Sequence, residues 1–388
     1  MPRIAQVPRS GSQKPIQANG IAKDMTELRF AFGRNWSDFV EKKLSDAVVR
    51  QSMDHMAGVL RQPSLTGKTF LDIGCGSGIH SLAALRLGAE RVVAFDYDQN
   101  SVNTAMRVRE WAQIPETRWN ISQGSVLDQD LMRSLSQFDI VYSWGVLHHT
   151  GQMWQAVRNA ALPLKPGGDF YIALYSSDNY VDPPPEFWVR LKRAYNQANS
   201  MTRKIMELRY VNWHIIRAGS LSQADNYGLR GMELWTDVKD WLGGYPIEFA
   251  GFAETLDFAR NELGLDLVNV VTGEGCTEYV FAQLAASPRW QSEEAKRERR
   301  PISGPFKSVR GHGFEPPASS LASSVSDLAD MMIYEDGNPL GLARSSEHDI
   351  FVYGRGRFSH TPDRTLFSSS DNSDPNSNGR SYTYCETY

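Results

Sequence analysis

Leu71-Asp72-Ile73-Gly74-Cys75-Gly76-Ser77-Gly78 is the stretch whose reading decides the fold. It follows Lys68-Thr69-Phe70, and a helical pattern begins just after it. Phe70 to Ile73 reads as a buried parallel strand, since it is short, apolar and closed by a turn signal. Gly74, Gly76 and Gly78 carry no Cβ, so the backbone there can turn sharply and approach a ligand closely. His80 to Leu87 reads as a helix with Leu82, Ala83 and Leu87, together with Ile79 just before it, on one stripe. A strand, a glycine loop and a helix N-terminus together make a nucleotide-type pocket.

The details exclude two common occupants. A phosphate-binding P-loop needs Gly-Lys-Ser/Thr, and no lysine stands here. The dinucleotide fingerprint spaces its glycines differently, and Asp72 would repel a pyrophosphate. A carboxylate suits a cationic ligand instead. Further on, Arg91 to Phe95 reads as a second strand ending in Asp96, an acid placed to accept hydrogen bonds from ribose hydroxyls.

At this point the chain resembles the class I S-adenosylmethionine-dependent methyltransferases. The matching blocks are Leu71–Gly78, the strand-end Asp96, Gly124-Ser125-Val126-Leu127-Asp128, Phe138 to His149, and Leu164-Lys165-Pro166-Gly167-Gly168. They stand in the family's order and spacing within roughly residues 60–284. A lone glycine motif is weak; five ordered blocks are specific. The resemblance implies a doubly wound, seven-stranded, mostly parallel α/β sheet with S-adenosyl-L-methionine at the strand C-termini. By position, Asp72, Gly74, Cys75, Gly76 and Gly78 face the methionine part. Asp96, with Tyr97 beside it, takes the ribose. Ser125 and Val126 flank the adenine, and Trp144, Gly145 and Leu147 line the floor below the methyl.

Composition agrees with a large globular enzyme. The chain has 388 residues, 41% hydrophobic and 22% charged, with a formal net charge of −4. No basic stripe favours nucleic acid as a partner, and no 18-residue apolar run reads as a membrane span. Cys75, Cys276 and Cys385 are odd in number and far apart, which fits neither a disulfide frame nor zinc spacing. A cytoplasmic setting without a metal is expected. Cys276 reads as a structural residue.

The expected organisation has an N-terminal arm with cap helices over 1–61 and a methyltransferase domain over 62–284. Met1 to Asn19 reads as a loose arm. A lid insertion spans 176–250, a linker 285–313, and a β-rich accessory module 314–388. Strands are expected at Phe70–Ile73, Val92–Phe95, Trp119–Gln123, Ile140–Ser143 and Phe170–Leu174. A helix is expected at Pro185–Met201 and another at Glu254–Leu263 with Gly264 as its C-cap. Leu267–Thr272 and Glu278–Leu284 then close a hairpin. In the C-terminal module, Met332–Tyr334 and Ile350–Tyr353 read as β fragments, with Phe351, Tyr353, Phe358, Phe367 and Tyr382 as a minor core. Asp371 to Arg380 reads as an Asx-rich turn. That module is the candidate surface for binding a substrate's carrier or for self-association into a homo-oligomer.

Candidate chemistry centres on His148 and His149, which follow the fourth strand. Their ordinary pKa suits a general base. The other reading is that one of them caps a helix or holds a backbone carbonyl. Tyr175 ends the fifth strand and is a candidate for positioning the acceptor. For substrate, the candidates are Trp36 near the N-terminus and Arg230, Asp237, Tyr245 and Glu248 in the lid, where polar groups among aromatics suit a polyol. Trp36 reads equally well as an anchor on the core. The expected activity is methyl transfer to oxygen or nitrogen of a small-molecule or glycan-type acceptor. A macromolecular acceptor such as protein or tRNA, and a non-catalytic cofactor-binding scaffold, are the two alternatives.

Overall fold

The computed structural model describes residues 32–218, 234–272, 275–296, 299–317, 321, 330–341, 343, 345–361 and 364–387. Residues 1–31, which include the loose arm expected at Met1 to Asn19, and Arg230 lie outside the described residues. Helix α1 (Phe32–Lys43) and helix α2 (Asp46–Leu60) lead into strand β1 (Thr69–Ile73), helix α3 (Ile79–Arg86), strand β2 (Arg91–Asp96), helix α4 (Gln99–Trp111) and strand β3 (Trp119–Gln123). Helix α5 (Gln129–Ser134), strand β4 (Phe138–Trp144), helix α6 (Met153–Ala161) and strand β5 (Leu164–Tyr175) follow. Helix α7 (Pro185–Gln197), helix α8 (Ser200–Ala218) and helix α9 (Leu234–Gly243) stand between β5 and helix α10 (Phe252–Leu263). Strand β6 (Asp266–Thr272) and strand β7 (Cys276–Ala282) complete one sheet in the order β3-β2-β1-β4-β5-β7-β6. All its pairings are parallel except those of β7, which is antiparallel to both β5 and β6. This is the seven-stranded, mostly parallel sheet that the sequence led us to expect.

The two sheet faces bury different residues because successive side chains alternate along a strand. Phe70, Ala94, Ile140, Tyr142, Tyr171 and Val280 face α2, α3 and α4. Leu71, Ile73, Val141, Phe170, Ile172 and Phe281 face α6 and α10. The C-terminal ends of β1, β2, β4 and β5 form one rim, with the glycine loop on it.

Three boundaries differ from expectation. The lid helix ends at Gln197 rather than Met201, because Asn199 starts a second helix and its Oδ1 accepts from Thr202 N at 2.9 Å. The closing hairpin is shifted to Asp266–Thr272 and Cys276–Ala282, and Cys276 is a half-buried thiol. Ile350 to Val352 is not a strand but part of helix α12 (Glu347–Val352). Ser346 caps that helix by accepting from Asp349 N, and Glu347 and Asp349 stabilise its first turn, which outweighs the β-type side chains.

The stretch 285–313 is structured throughout its described residues rather than linker-like. Helix α11 (Pro288–Lys296) inserts Trp290, 1% exposed, into the core on the α2–α4 face. Its indole donates to Asp169 Oδ1 at 2.6 Å, and Arg289 pairs with the same oxygen. Composition misled here because proline and glycine flank a single large buried anchor. Strands β8 (Arg300–Pro301) and β9 (Lys307–Arg310) belong to the C-terminal sheets.

Those sheets are antiparallel and four-stranded. One orders β13 (Phe358–His360), β14 (Thr365–Phe367), β10 (Gly313–Glu315) and β9; the other orders β12 (Asn338–Pro339), β11 (Asp330–Glu335), β15 (Tyr382–Thr387) and β8. Phe358, Phe367 and Tyr382 are in their buried core, while Phe351 and Tyr353 are only half-buried. The turn at 371–380 is held by an Arg380–Asp371 ion pair at 2.5 Å. The region docks on the sheet domain. Thr272 Oγ1 donates to Ala343 O at 3.0 Å, and the buried Arg357 donates to the carbonyl of Asp178 at the start of the lid.

Candidate functional site

The site begins with the loop after β1. Gly74, Gly76 and Gly78 all have positive φ, at 74°, 53° and 78°. Side chains rarely adopt this region, so the loop requires glycine on backbone grounds alone. Space makes the same demand: a Cβ on Gly74 would lie 2.5 Å from Val146, and one on Gly78 would lie 2.9 Å from Ala105. Gly74 N and Cys75 N both donate to Phe95 O, which ties the loop to the end of β2. The amides of the loop and the first turn of α3 thus border the place where a ligand would sit.

Asp96 closes the other side. Its Oδ2 accepts from Gly76 N at 2.9 Å and its Oδ1 from Asp98 N at 2.8 Å. Tyr97 beside it is 50% exposed. Asp72 is buried and accepts from Ser81 Oγ at 2.5 Å. Burial pushes its carboxyl up to about 7; the Ser81 hydrogen bond opposes this, and the charge of Asp96 adds to it. Ser125 accepts from Leu127 N to shape its turn, and Val126 is buried. Trp144 is 40% exposed at the end of β4, Gly145 turns with φ 74°, and Leu147 is buried beneath. The sequence-derived cofactor residues therefore meet on one rim.

Trp36 lies on the glycine loop: a Cβ at Gly76 would be 3.1 Å from its indole nitrogen. Gly33 N donates to Asp98 Oδ2, so α1 is pinned over α4. Trp36 is half-buried and also packs against the main core, as the anchor reading expects.

The lid and the rim are stitched together. His148 is fully buried, and burial first, then the nearby His149 and Lys192, hold its pKa well below the ordinary value. His149 holds a backbone carbonyl: its Nδ1 lies 2.7 Å from Pro246 O. A carbonyl only accepts, so that nitrogen carries the proton. Glu248 N donates to His148 O, and Glu248 Oε2 accepts from Met153 N at the start of α6. Glu248 thus spends a carboxylate oxygen on a helix N-terminus. Tyr245 is buried. Asp237 is in α9, and its side chain lies outside the described residues. Tyr175 contacts His148, with ring centroids 4.2 Å apart, and meets Trp241 edge-on at 5.3 Å. Tyr180 stacks on Trp241 at 5.6 Å and meets Phe249 at 4.9 Å. Lys192 is fully buried with its Nζ 3.8 Å from the Trp241 ring centroid.

Sequence reasoning missed a second cluster. His55, Tyr171, Glu278 and the indole of Trp144 meet at the rim on the α2 face, with Tyr142 and His80 behind them. Only Trp144 stood in a recognised block as a site residue. The others are separated by up to 223 residues, and no local spacing links them.

The three-glycine cradle, the ribose-type acid at the end of β2 and the sheet order fit S-adenosylmethionine. The sheet order is that of a Rossmann-like fold. Residues 71–170 match the family model described as "Methyltransferase domain", a family that uses S-adenosylmethionine. Among curated relatives, it is 23% identical over 195 residues to a tRNA U34 carboxymethyltransferase of Hahella chejuensis, covering 47% of this chain and 59% of that one. It is 31% identical over 130 residues to a ubiquinone biosynthesis O-methyltransferase of Methylobacterium, covering 34% and 49%. The chain thus spans about half the length of these relatives. A solved magnesium protoporphyrin IX methyltransferase from Synechocystis aligns with 12% identity and a TM-score of 0.41, over 67% of this chain and 98% of that one. Among the described residues, no helix is long and apolar enough to cross a membrane.

Proposed function

We propose that this chain methylates a small-molecule or glycan-type acceptor at oxygen or nitrogen. The single observation that carries the reading is the aromatic wall of Tyr175, Tyr180, Trp241 and Phe249, which the lid brings to the rim beside His148 and His149. Such a wall suits a compact acceptor with ring faces or C–H faces. S-adenosylmethionine bound at the glycine loop supplies a methyl on positively charged sulfur, so the methyl is already electrophilic. What remains for the protein is alignment and exclusion of water. Gly74 to Gly78 and Asp96 would hold the cofactor, with Ser125 and Val126 at the base end. Tyr175 orients the acceptor, and His148 and His149 fix the lid against the rim through Glu248 and Pro246.

The test is transfer of label from methyl-labelled S-adenosylmethionine. The substrate pools are a nuclease-treated, protein-free small-molecule extract, bulk tRNA and total protein. Label in the first pool supports the reading; label confined to either of the others refutes it. A tRNA acceptor is the second reading. It is favoured by the tRNA-modifying relatives and by exposed Arg190, Arg193, Lys204 and Arg209 on the two lid helices.

A further inference from the structure

Glu278 stands on the same level of the sheet as the glycine loop. It pairs across β5 with Ala173, and Ala173 pairs with Trp144 on β4. Asp72 pairs with Tyr142, so two residues further along Gly74 runs level with Trp144. The Glu278 carboxylate is gripped by two side chains. Tyr171 OH donates to it, and His55 Nε2 lies 3.0 and 2.9 Å from its two oxygens. Burial pushes Glu278 up, but the His55 hydrogen bond and charge, then Tyr171 and Trp144, hold it below the ordinary carboxylate value. It is therefore ionised at neutral pH. A buried carboxylate is costly unless paired, and an apolar side chain would fill the place at less expense. His55, on α2, has a half-exposed side chain, so the charge cluster reaches solvent at the rim. Among the described residues, the other titratable groups facing it include Tyr171, Tyr142 and His80, with Asp72 beyond.

We propose that His55, oriented by Glu278, accepts the proton of an acceptor hydroxyl during methyl transfer. This rests on the methyltransferase reading above and names its base. In its neutral form His55 keeps the proton on Nε2, because a carboxylate only accepts, and the lone pair then sits on Nδ1. As the acceptor oxygen takes the methyl, the C–O bond forms and the C–S bond breaks, its electron pair going to sulfur. The hydroxyl proton passes to Nδ1, and Glu278 stabilises the imidazolium that results. His55 is the catalytic residue, and Glu278 and Tyr171 are positioning residues.

The test needs no acceptor. His55 of the full chain, ¹⁵N-histidine labelled and assigned with His55→Gln, is titrated by NMR. One titration uses the complex with S-adenosylmethionine and the other the complex with S-adenosylhomocysteine. The two differ by one positive charge at sulfur. A base beside the reacting methyl should show a pKa lower by roughly half a unit or more in the sulfonium complex. Glu278→Gln should lower it by about one unit in both complexes. Equal values in the two complexes, or no response to Glu278→Gln, overturn the proposal while calorimetric binding of the cofactor leaves the methyltransferase reading standing. If calorimetry shows that neither cofactor form binds, that reading fails and the base falls with it. With a labelled acceptor, His55→Gln should lower turnover about 100-fold or more at unchanged cofactor affinity, and an unaffected rate would also overturn it.

Discussion

We expect Asp72 to link cofactor binding to a proton. Its carboxyl is buried and titrates near 7, with burial as the main cause. A cationic methionine group next to it favours the ionised form. Binding at pH 6 must therefore expel a proton from a group about 90% protonated, whereas at pH 8 the group is about 90% ionised already. If the bound carboxyl titrates below 6, affinity rises about tenfold from pH 6 to pH 8, or about 1.4 kcal/mol. The cofactor's own amino group titrates near 7.7–8.0 and works the other way, but equally for any variant. The readout is thus the difference in slope between the parent protein and Asp72→Asn, which cannot release this proton. Calorimetry at pH 6, 7 and 8, in two buffers of different ionisation enthalpy, gives affinity and protons released. A parent slope equal to that of Asp72→Asn would refute the argument. The sign for stability follows too. The folded value is raised, so the unfolded chain loses its proton first. The contribution of this group is then most favourable below the unfolded value of 3.8 and is lost as pH rises toward about 7, by up to ~4 kcal/mol.

Three further outcomes are expected. Asp96→Ala should weaken S-adenosylmethionine binding by about 1–3 kcal/mol, measured by calorimetry, through lost charge-assisted bonds to ribose and a looser glycine loop. Trp290→Ala should cost about 3–5 kcal/mol in urea unfolding, since it empties a fully buried site and leaves Asp169 one donor short; a cost under about 1 kcal/mol would contradict the buried placement. By the same reasoning a chain cut at Ala286 should lose cooperative folding, so a fragment meant to bind cofactor must retain α11. Trp241→Ala should lower acceptor turnover far more than cofactor affinity; equal losses together with a large fall in melting temperature would make the aromatic wall purely structural.

The glycine loop and its place beside Asp96 were legible in the sequence because their constraints are local. Gly74, Gly76 and Gly78 need their φ values within one loop, and Asp96 ends the neighbouring strand, so spacing alone carried the information. Strand alternation with helices likewise announced the doubly wound sheet. Local chemistry could also mislead: Ile350 to Val352 has β-type side chains, and the Ser346 cap made it a helix. What only tertiary structure decided depends on contacts distant in the chain. His55 meets Glu278 across 223 positions, and Trp290 meets Asp169 across 121. No periodicity encodes such meetings, because they are set by which strand lies beside which and by how far each helix slides along the sheet. The lid shows the same division. Its aromatic richness was visible at once, but only packing revealed that Glu248 and His149 fasten it to the rim while Tyr175 and Trp241 line the wall.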